Sequence, residues 1–405
     1  MIDRIAVGFK LLVLGVALLQ FRGFAVAAGR LSTSGHLNCC ASFDPIWSSF
    51  RCAGIGTPTY SVSCLAVSPD SKFVACCRND GSVNVFQLNP FRIVRRFNLW
   101  KVPALEAKEY MYGPTSAYFD DAHGVLKLAL TDGSLVALST RNWKTLYCHI
   151  SKYKELQFVC AQIFDKGQKV ALVSDNGTVT VSGFAGVGPV DTWNTELSSV
   201  QGGYVDPTGR RLLLFSYGHK MGQRTGSLYD AARHKLITSA FPFGQFSNAQ
   251  PFSLNGNRCV WRQMPGEYSL LRHYFPEVRE PYSPLYVWSV GDTRFRPVYR
   301  VSIPGDFVFT SSLSPDGKLV VLCGSVSHGG YAMAIRLNKT GDVGRCTATL
   351  GAPGEHQDKS DIDDLGAPIS ETFLPDSRGV LFGYYDGDVD YWDLSEGRNF
   401  LIKLN

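Results

Sequence analysis

"AVSPDSKFVACC", Ala66–Cys77, reads as an apolar run, a Ser-Pro-Asp-Ser-Lys turn and a second apolar run. Pro at the second turn position presets φ, and Asp followed by a small residue suits the next two positions. The stretch is therefore two strands joined by a tight turn. The same arrangement returns at "SLSPDGKLVVLC", Ser312–Cys323. Softer copies stand at Phe119 ("AYFDDAHGVLKLAL"), Phe164 ("QIFDKGQKVALV"), Val205 ("GYVDPTGRRLLLF"), Ser253 ("PFSLNGNRCVW") and Leu374 ("TFLPDSRGVLFG"). Turns at 68, 119, 164, 205, 253, 314 and 374 describe a unit in the forties with insertions, the period of a propeller blade.

A second landmark follows each first one. "NDGSV" at Asn79, "TDGSL" at Thr131, "DNGTV" at Asp175 and "YDGDV" at Tyr385 are Asp-Gly or Asn-Gly hairpin turns, with "RTGSL" at Arg224 as a displaced fifth. Each opens a third strand, such as "SVNVFQL" or "DVDYWDL", and a fourth apolar run follows in most units, such as "IVRRFNL" or "KLITSAF". No amphipathic helix of any length interrupts the pattern. The expectation is an all-β fold, a seven-bladed β-propeller of four-stranded antiparallel blades over residues 61–405.

Within "LFGYYDGDVDYWDL", Leu381–Leu394, the pair Trp392-Asp393 closes the third strand of the last unit. With the repeat, this resembles the WD40 and WD40-like propeller superfamily from about residue 60 to 405. No unit carries the Gly-His pair of the strict family, and the nearest counterparts of Trp392 are Phe86, Leu138 and Trp288. The resemblance implies the architecture and names no partner. In many rings of that superfamily the N-terminus supplies the outermost strand of the last blade. Here "FLIKLN", Phe400–Asn405, stands where that strand belongs, so the C-terminus is expected to close its own blade, leaving residues 28–60 as an appended segment; the alternative is that residues 45–59 form the closing strand.

The chain has 405 residues, 45% hydrophobic, with a net charge of +5 spread without a Lys/Arg block. That is ordinary globular composition, and a nucleic-acid partner is not indicated. The first 27 residues differ: Arg4 and Lys10, then the apolar "LLVLGVALL", Leu11–Leu19, then Ala25-Val26-Ala27. This is the layout of a cleavable secretory signal peptide. It points to a periplasmic, extracellular or membrane-surface location; the rival is a mitochondrial or plastid targeting segment. Eleven cysteines leave at least one unpaired in an exported chain. With no C-x-x-C pair, most read as small buried thiols, and Cys40–Cys52 is a candidate bridge. Cys64 and Cys160 each lie four residues before their turn landmark, and Cys77 and Cys323 each nine after theirs.

Loops on a rigid ring carry specificity. Connections from second to third strand emerge on the same face as the crossings to the next blade. They are minimal in units one, two, three and seven. They lengthen to "SYGHKMGQR" in unit four, to Arg262–Pro284 in unit five and to "SVSHGGYA" in unit six. The unit-five insertion mixes Arg262, Arg272, His273 and Arg279 with Tyr268, Tyr274, Phe275 and Tyr282. Arg and aromatic residues are favoured interface anchors, so these eight are the candidate partner-binding residues. The acidic run Asp358, Asp361, Asp363 and Asp364 lacks the spacing of a Ca²⁺ loop and reads as a solvated loop. No nucleophile elbow, zinc-protease motif or P-loop occurs, and no catalytic, cofactor or metal residue is assigned. The leading expectation is a non-catalytic scaffold that binds a protein partner. The alternative is a lactonase-like propeller hydrolase, in which His219, His273 and His328 approach the channel mouth.

Overall fold

The computed structural model describes residues 49–50, 62–106, 113–151, 158–186, 190–217, 224–242, 251–262, 282–292, 296–302, 307–326, 329–337, 343–350, 370–384 and 389–394. They form seven antiparallel sheets, six of four strands and one of three. Sheet 1 runs Val62–Val67, Phe73–Arg78, Ser82–Leu88 and Phe91–Asn98. Sheet 2 runs Pro114–Asp120, Val125–Leu130, Leu135–Ser139 and Thr145–His149. Sheet 3 runs Phe158–Phe164, Lys169–Ser174, Thr178–Gly183 and Asp191–Asn194. Sheet 4 runs Val200–Val205, Arg211–Tyr217, Arg224–Asp230 and Lys235–Pro242. Sheet 5 has Arg258–Arg262, Tyr282–Ser289 and Arg296–Ser302. Sheet 6 runs Phe307–Leu313, Leu319–Val326, Gly329–Leu337 and Val343–Leu350. Sheet 7 combines Ser370–Phe373, Gly379–Gly383 and Val389–Asp393 with Ser49–Phe50.

The architecture is an all-β propeller of four-stranded antiparallel blades. The expected regularity holds for six sheets and is corrected for the fifth. There, among the described residues, the first strand is reduced to one bridge, Phe252↔Cys259. Pro251 beside it has no N–H to give a ladder, which favours so short a pairing. A second correction concerns closure. Ser49 and Phe50 pair with Asp390 and Val389, so the N-terminal side supplies the outer strand of sheet 7 and is more than an appendage. Phe400–Asn405, expected in that place, lie outside the described residues, as do residues 1–48.

The turns that revealed the repeat are built as their chemistry requires. Ser68 Oγ accepts from the N–H of Lys72 (3.1 Å) and of Phe73 (2.9 Å) and donates to Asp70 Oδ1 (2.7 Å). Ser314 does the same with Lys318, Leu319 and Asp316. Sheet 4 exchanges the two side chains: Asp206 takes the first place, and Thr208 donates to its Oδ1 through both N–H and Oγ, each at 2.6 Å. Register sets the turn origins of sheets 2 and 4 at Asp120 and Asp206, one residue after Phe119 and Val205. Neighbouring turns are tied together, as Asp165 N–H donates to Pro207 O and Leu254 N–H to Pro315 O.

Five first strands share one irregularity. The register slips between Val62 and Cys64, Pro114 and Ser116, Phe158 and Cys160, Val200 and Gly202, and Val308 and Thr310. A bulge bends and twists its strand, and repetition at one level bends successive inner strands alike. The bulged residue also reaches across a seam: Ser63 Oγ donates to Pro114 O at 2.6 Å, and Thr115 Oγ1 to Ala161 O at 2.9 Å.

The core lies between sheets, since alternate residues of each sheet face opposite neighbours. Apolar clusters join sheets 1 and 2, 2 and 3, 3 and 4, 4 and 5, and 6 and 7. Sheets 7 and 1 are joined by Val62, Leu65, Val74, Cys76, Phe86, Leu374, Leu381 and Val389. Val62 N–H donates to Tyr384 O across that seam (3.1 Å). Register places Phe86, Leu138, Trp288 and Trp392 in equivalent positions, opposite Val74, Leu126, Cys259 and Val380. It adds Tyr229 opposite Leu212 and Ile335 opposite Val320. Trp392 is buried against Phe382 within the cluster between sheets 6 and 7.

Candidate interaction face

One level can be drawn through every sheet. The ninth residue after each turn origin is paired with the third strand: Cys77↔Val83, Ala129↔Leu135, Val173↔Val179, Phe215↔Gly226, Arg262↔Leu285, Cys323↔Ala332 and Gly383↔Val389. In sheets 1, 2 and 3 the chain turns back at once. Asp80 Oδ1 accepts from the N–H and Oγ of Ser82, Asp132 caps Ser134 in the same way, and Asn176 Oδ1 accepts from Thr178 N–H. Gly81, Gly133 and Gly177 hold φ of +75°, +82° and +84°, a region open to glycine and strained for other residues. A Cβ on Gly81 would lie 2.4 Å from the Trp100 ring, so the tight turn is also where the crossing to sheet 2 packs down. That crossing is anchored by buried Leu99 and Leu105 and by Gly113 N–H donating to Asn79 O.

Sheets 4, 5 and 6 rise past this level. In sheet 4 two further pairs follow, Ser216↔Thr225 and Tyr217↔Arg224. In sheet 6 three follow, Gly324↔Tyr331, Ser325↔Gly330 and Val326↔Gly329. The "SVSHGGYA" segment, expected as an elongated loop, is therefore mostly paired strand, with two residues between the paired ends. In sheet 5 the third strand begins at Tyr282, and Tyr282, Ser283 and Pro284 pair with Ser302, Val301 and Arg300 above the last pair of Arg262. Three adjacent sheets thus raise their strands on one side of the ring.

Of the eight candidate partner-binding residues, Arg262 and Tyr282 are placed, at the two strand ends from which the insertion leaves. Tyr268, Arg272, His273, Tyr274, Phe275 and Arg279 lie outside the described residues. So do the acidic run Asp358, Asp361, Asp363 and Asp364, and also His219 and His328. Among the described residues, no group of three or more His, Cys, Asp or Glu side chains could hold a metal ion, and no helix is long and apolar enough to cross a membrane.

Some titratable groups tie neighbouring sheets together. Burial pushes the Asp120 carboxyl up, but Lys127 and His123 together outweigh burial and hold it below its usual value. Lys127 Nζ meets Asp120 Oδ2 at 2.8 Å and also donates to Gly167 O of sheet 3 at 2.9 Å. Burial pushes the Cys160 thiol up to about 12 and the Tyr229 phenol up to about 12. The Cys160 Sγ donates to Gly203 O across the seam of sheets 3 and 4, and Tyr229 Oη to Thr195 O. These are inter-sheet ties that sequence reasoning did not single out.

No family model and no curated protein matches the chain. Solved structures do. A hydrazine synthase structure from Kuenenia stuttgartiensis superimposes with a TM-score of 0.57 at 9% identity, covering 85% of this chain and 98% of that one. The β-propeller domain of Cps50 (Swd1) from Myceliophteria thermophila superimposes with a TM-score of 0.54 at 11% identity, covering 83% and 97%. At such identities the likeness is one of fold. One neighbour carries an enzyme's name and the other a propeller domain's, so fold alone separates neither role.

Proposed function

We propose that the chain is a non-catalytic, WD40-like seven-bladed propeller, sheet 5 counted as a blade, that binds a protein partner on the face where sheets 4 to 6 rise. The observation that carries this reading is the one-sided break in level: three adjacent sheets extend past the point at which sheets 1, 2 and 3 turn back. Paired strands give a rigid base, and the insertion between Arg262 and Tyr282, rich in Arg and aromatic residues, supplies anchors. The chain acts after export or at a membrane surface, with residues 1–27 as the removable signal; the intact mass of the mature protein tests that part.

The partner reading is tested by replacing residues 263–281 with Asn-Gly and comparing proteins captured from native membranes and extracts by the two forms. Loss of a stoichiometric partner with the replaced form supports it. Equal capture by both forms, or no stoichiometric partner for the intact chain, refutes it.

A further inference from the structure

Cys64 stands directly opposite Cys77 in sheet 1. The same two positions oppose each other elsewhere: Ser116↔Ala129, Cys160↔Val173, Gly202↔Phe215, Thr310↔Cys323 and Ser370↔Gly383. Each position accepts a cysteine on its own, in sheets 3 and 6, and sheet 1 is where both do so at once. The lone thiols turn outward to the next sheet: Cys160 Sγ to Gly203 O at 3.0 Å, and Cys323 Sγ to Glu371 Oε2 at 2.7 Å. In sheet 1 the two cysteines are each other's register partners, side by side across the ladder. Cys76 is excluded from the pair, since it opposes Leu65 and joins the cluster shared with sheet 7.

We infer that Cys64 and Cys77 form an oxidisable dithiol, able to close a disulfide between the first two strands of sheet 1 without rearranging the blade. Directly opposed strand residues have Cβ atoms about 4.5–5.5 Å apart, and a disulfide needs about 3.5–4.5 Å, so a small local adjustment suffices. The oxidant is a low-molecular-weight disulfide. The Cys64 thiolate attacks one of its sulfurs, giving a mixed disulfide and releasing one small thiol. Cys77 then loses its proton and displaces the second small thiol. The protein gives up two electrons, the small disulfide takes them, and the two protons end on the released thiols. Cys64 is the first attacker because it is 7% exposed where Cys77 is fully buried. The Cys64 thiol beside it and burial push the Cys77 thiol well up, so it stays protonated until the mixed disulfide at its register partner brings the second step within reach.

The test equilibrates the full-length protein across a series of oxidised and reduced glutathione mixtures, traps thiols by alkylation in denaturant, and maps the digest by mass spectrometry. The expected result is a cross-linked species joining Cys64 to Cys77, lighter by about two mass units than the reduced pair and reversed by reductant. In Cys64→Ser, Cys77 is expected to stay alkylatable throughout, and in Cys76→Ala the link is expected to persist. Thermal melting shows that each variant is folded before it is scored. Full alkylation of both residues at the most oxidising mixture, or a disulfide at Cys77 that persists in Cys64→Ser, overturns the inference.

Discussion

Sheets 1, 2 and 3 and sheets 4, 5 and 6 follow one plan to the ninth residue past the turn and then part. On the first side an Asp or Asn side chain and a glycine at positive φ end the climb at once. On the second the strands continue, by two pairs in sheet 4 and three in sheet 6. Below the level, equivalent positions carry equivalent bulk: Phe86 and Leu138 on one side, Tyr229 and Trp288 on the other. A ring can therefore hold its core constant while one side of its rim changes height. Constraint from packing ends at a definable residue, and variation begins above it.

That comparison can be broken most directly through the core. Phe86→Ala and Trp288→Ala, at equivalent positions on the two sides, should each cost about 3–5 kcal/mol in denaturant unfolding. A cost below about 1 kcal/mol for Trp288→Ala alone would show that the raised side is not packed into the ring as the other side is. Next comes the tie between sheets 2 and 3. Asp120→Asn should cost about 2 kcal/mol at neutral pH, since it leaves a half-buried lysine without its carboxylate. The Asp120 pKa is depressed in the folded chain, so its contribution is present above the unfolded value near 4 and lost as pH falls through the folded one. The variant should therefore lose less stability than the parent between about pH 5 and pH 2, measured by melting at each pH. On the tight side, Gly133→Ala should cost about 1–2 kcal/mol, since φ is +82° and the new Cβ would meet Phe158 at 2.9 Å. The smallest effect belongs to the raised side. Replacing residues 263–281 with Asn-Gly should change stability by about 0.5 kcal/mol or less, because lengthening or shortening a surface connection costs little. A loss of several kcal/mol would make the insertion part of the core.

Much of this was legible in the sequence because the turns carry their own chemistry. Ser68-Pro69-Asp70 and Ser314-Pro315-Asp316 name a hairpin before any contact is known, and the spacing of Asn79, Thr131 and Asp175 supplies the second turn. Closure was not legible, because an outer strand pairs by backbone on one side and tolerates many side chains. Two short segments, 45–59 and 400–405, both fit the place, and register at Ser49 and Phe50 decided it. The hairpin of sheet 6 was misread for a related reason. Gly324, Ser325, Gly329 and Gly330 have low strand propensity, yet their pairing continues a ladder already set in register below. The candidate anchors from Tyr268 to Arg279 were legible as composition, and the strand ends at Arg262 and Tyr282 are where the described residues meet that set.

The seam between sheets 7 and 1 bears on how the chain is made. Val62, Leu65, Val74, Cys76 and Phe86 bury one face of the first sheet against Leu374, Leu381 and Val389 of the last. Synthesis proceeds from the N-terminus at about 5–20 residues per second, so that apolar face waits for roughly three hundred residues before its cover exists. During that interval sheet 1 is a half-covered layer, and a second nascent copy could offer it the same cover out of turn. Burial of the face from Val62 to Phe86 is thus the last part of the ring to be completed.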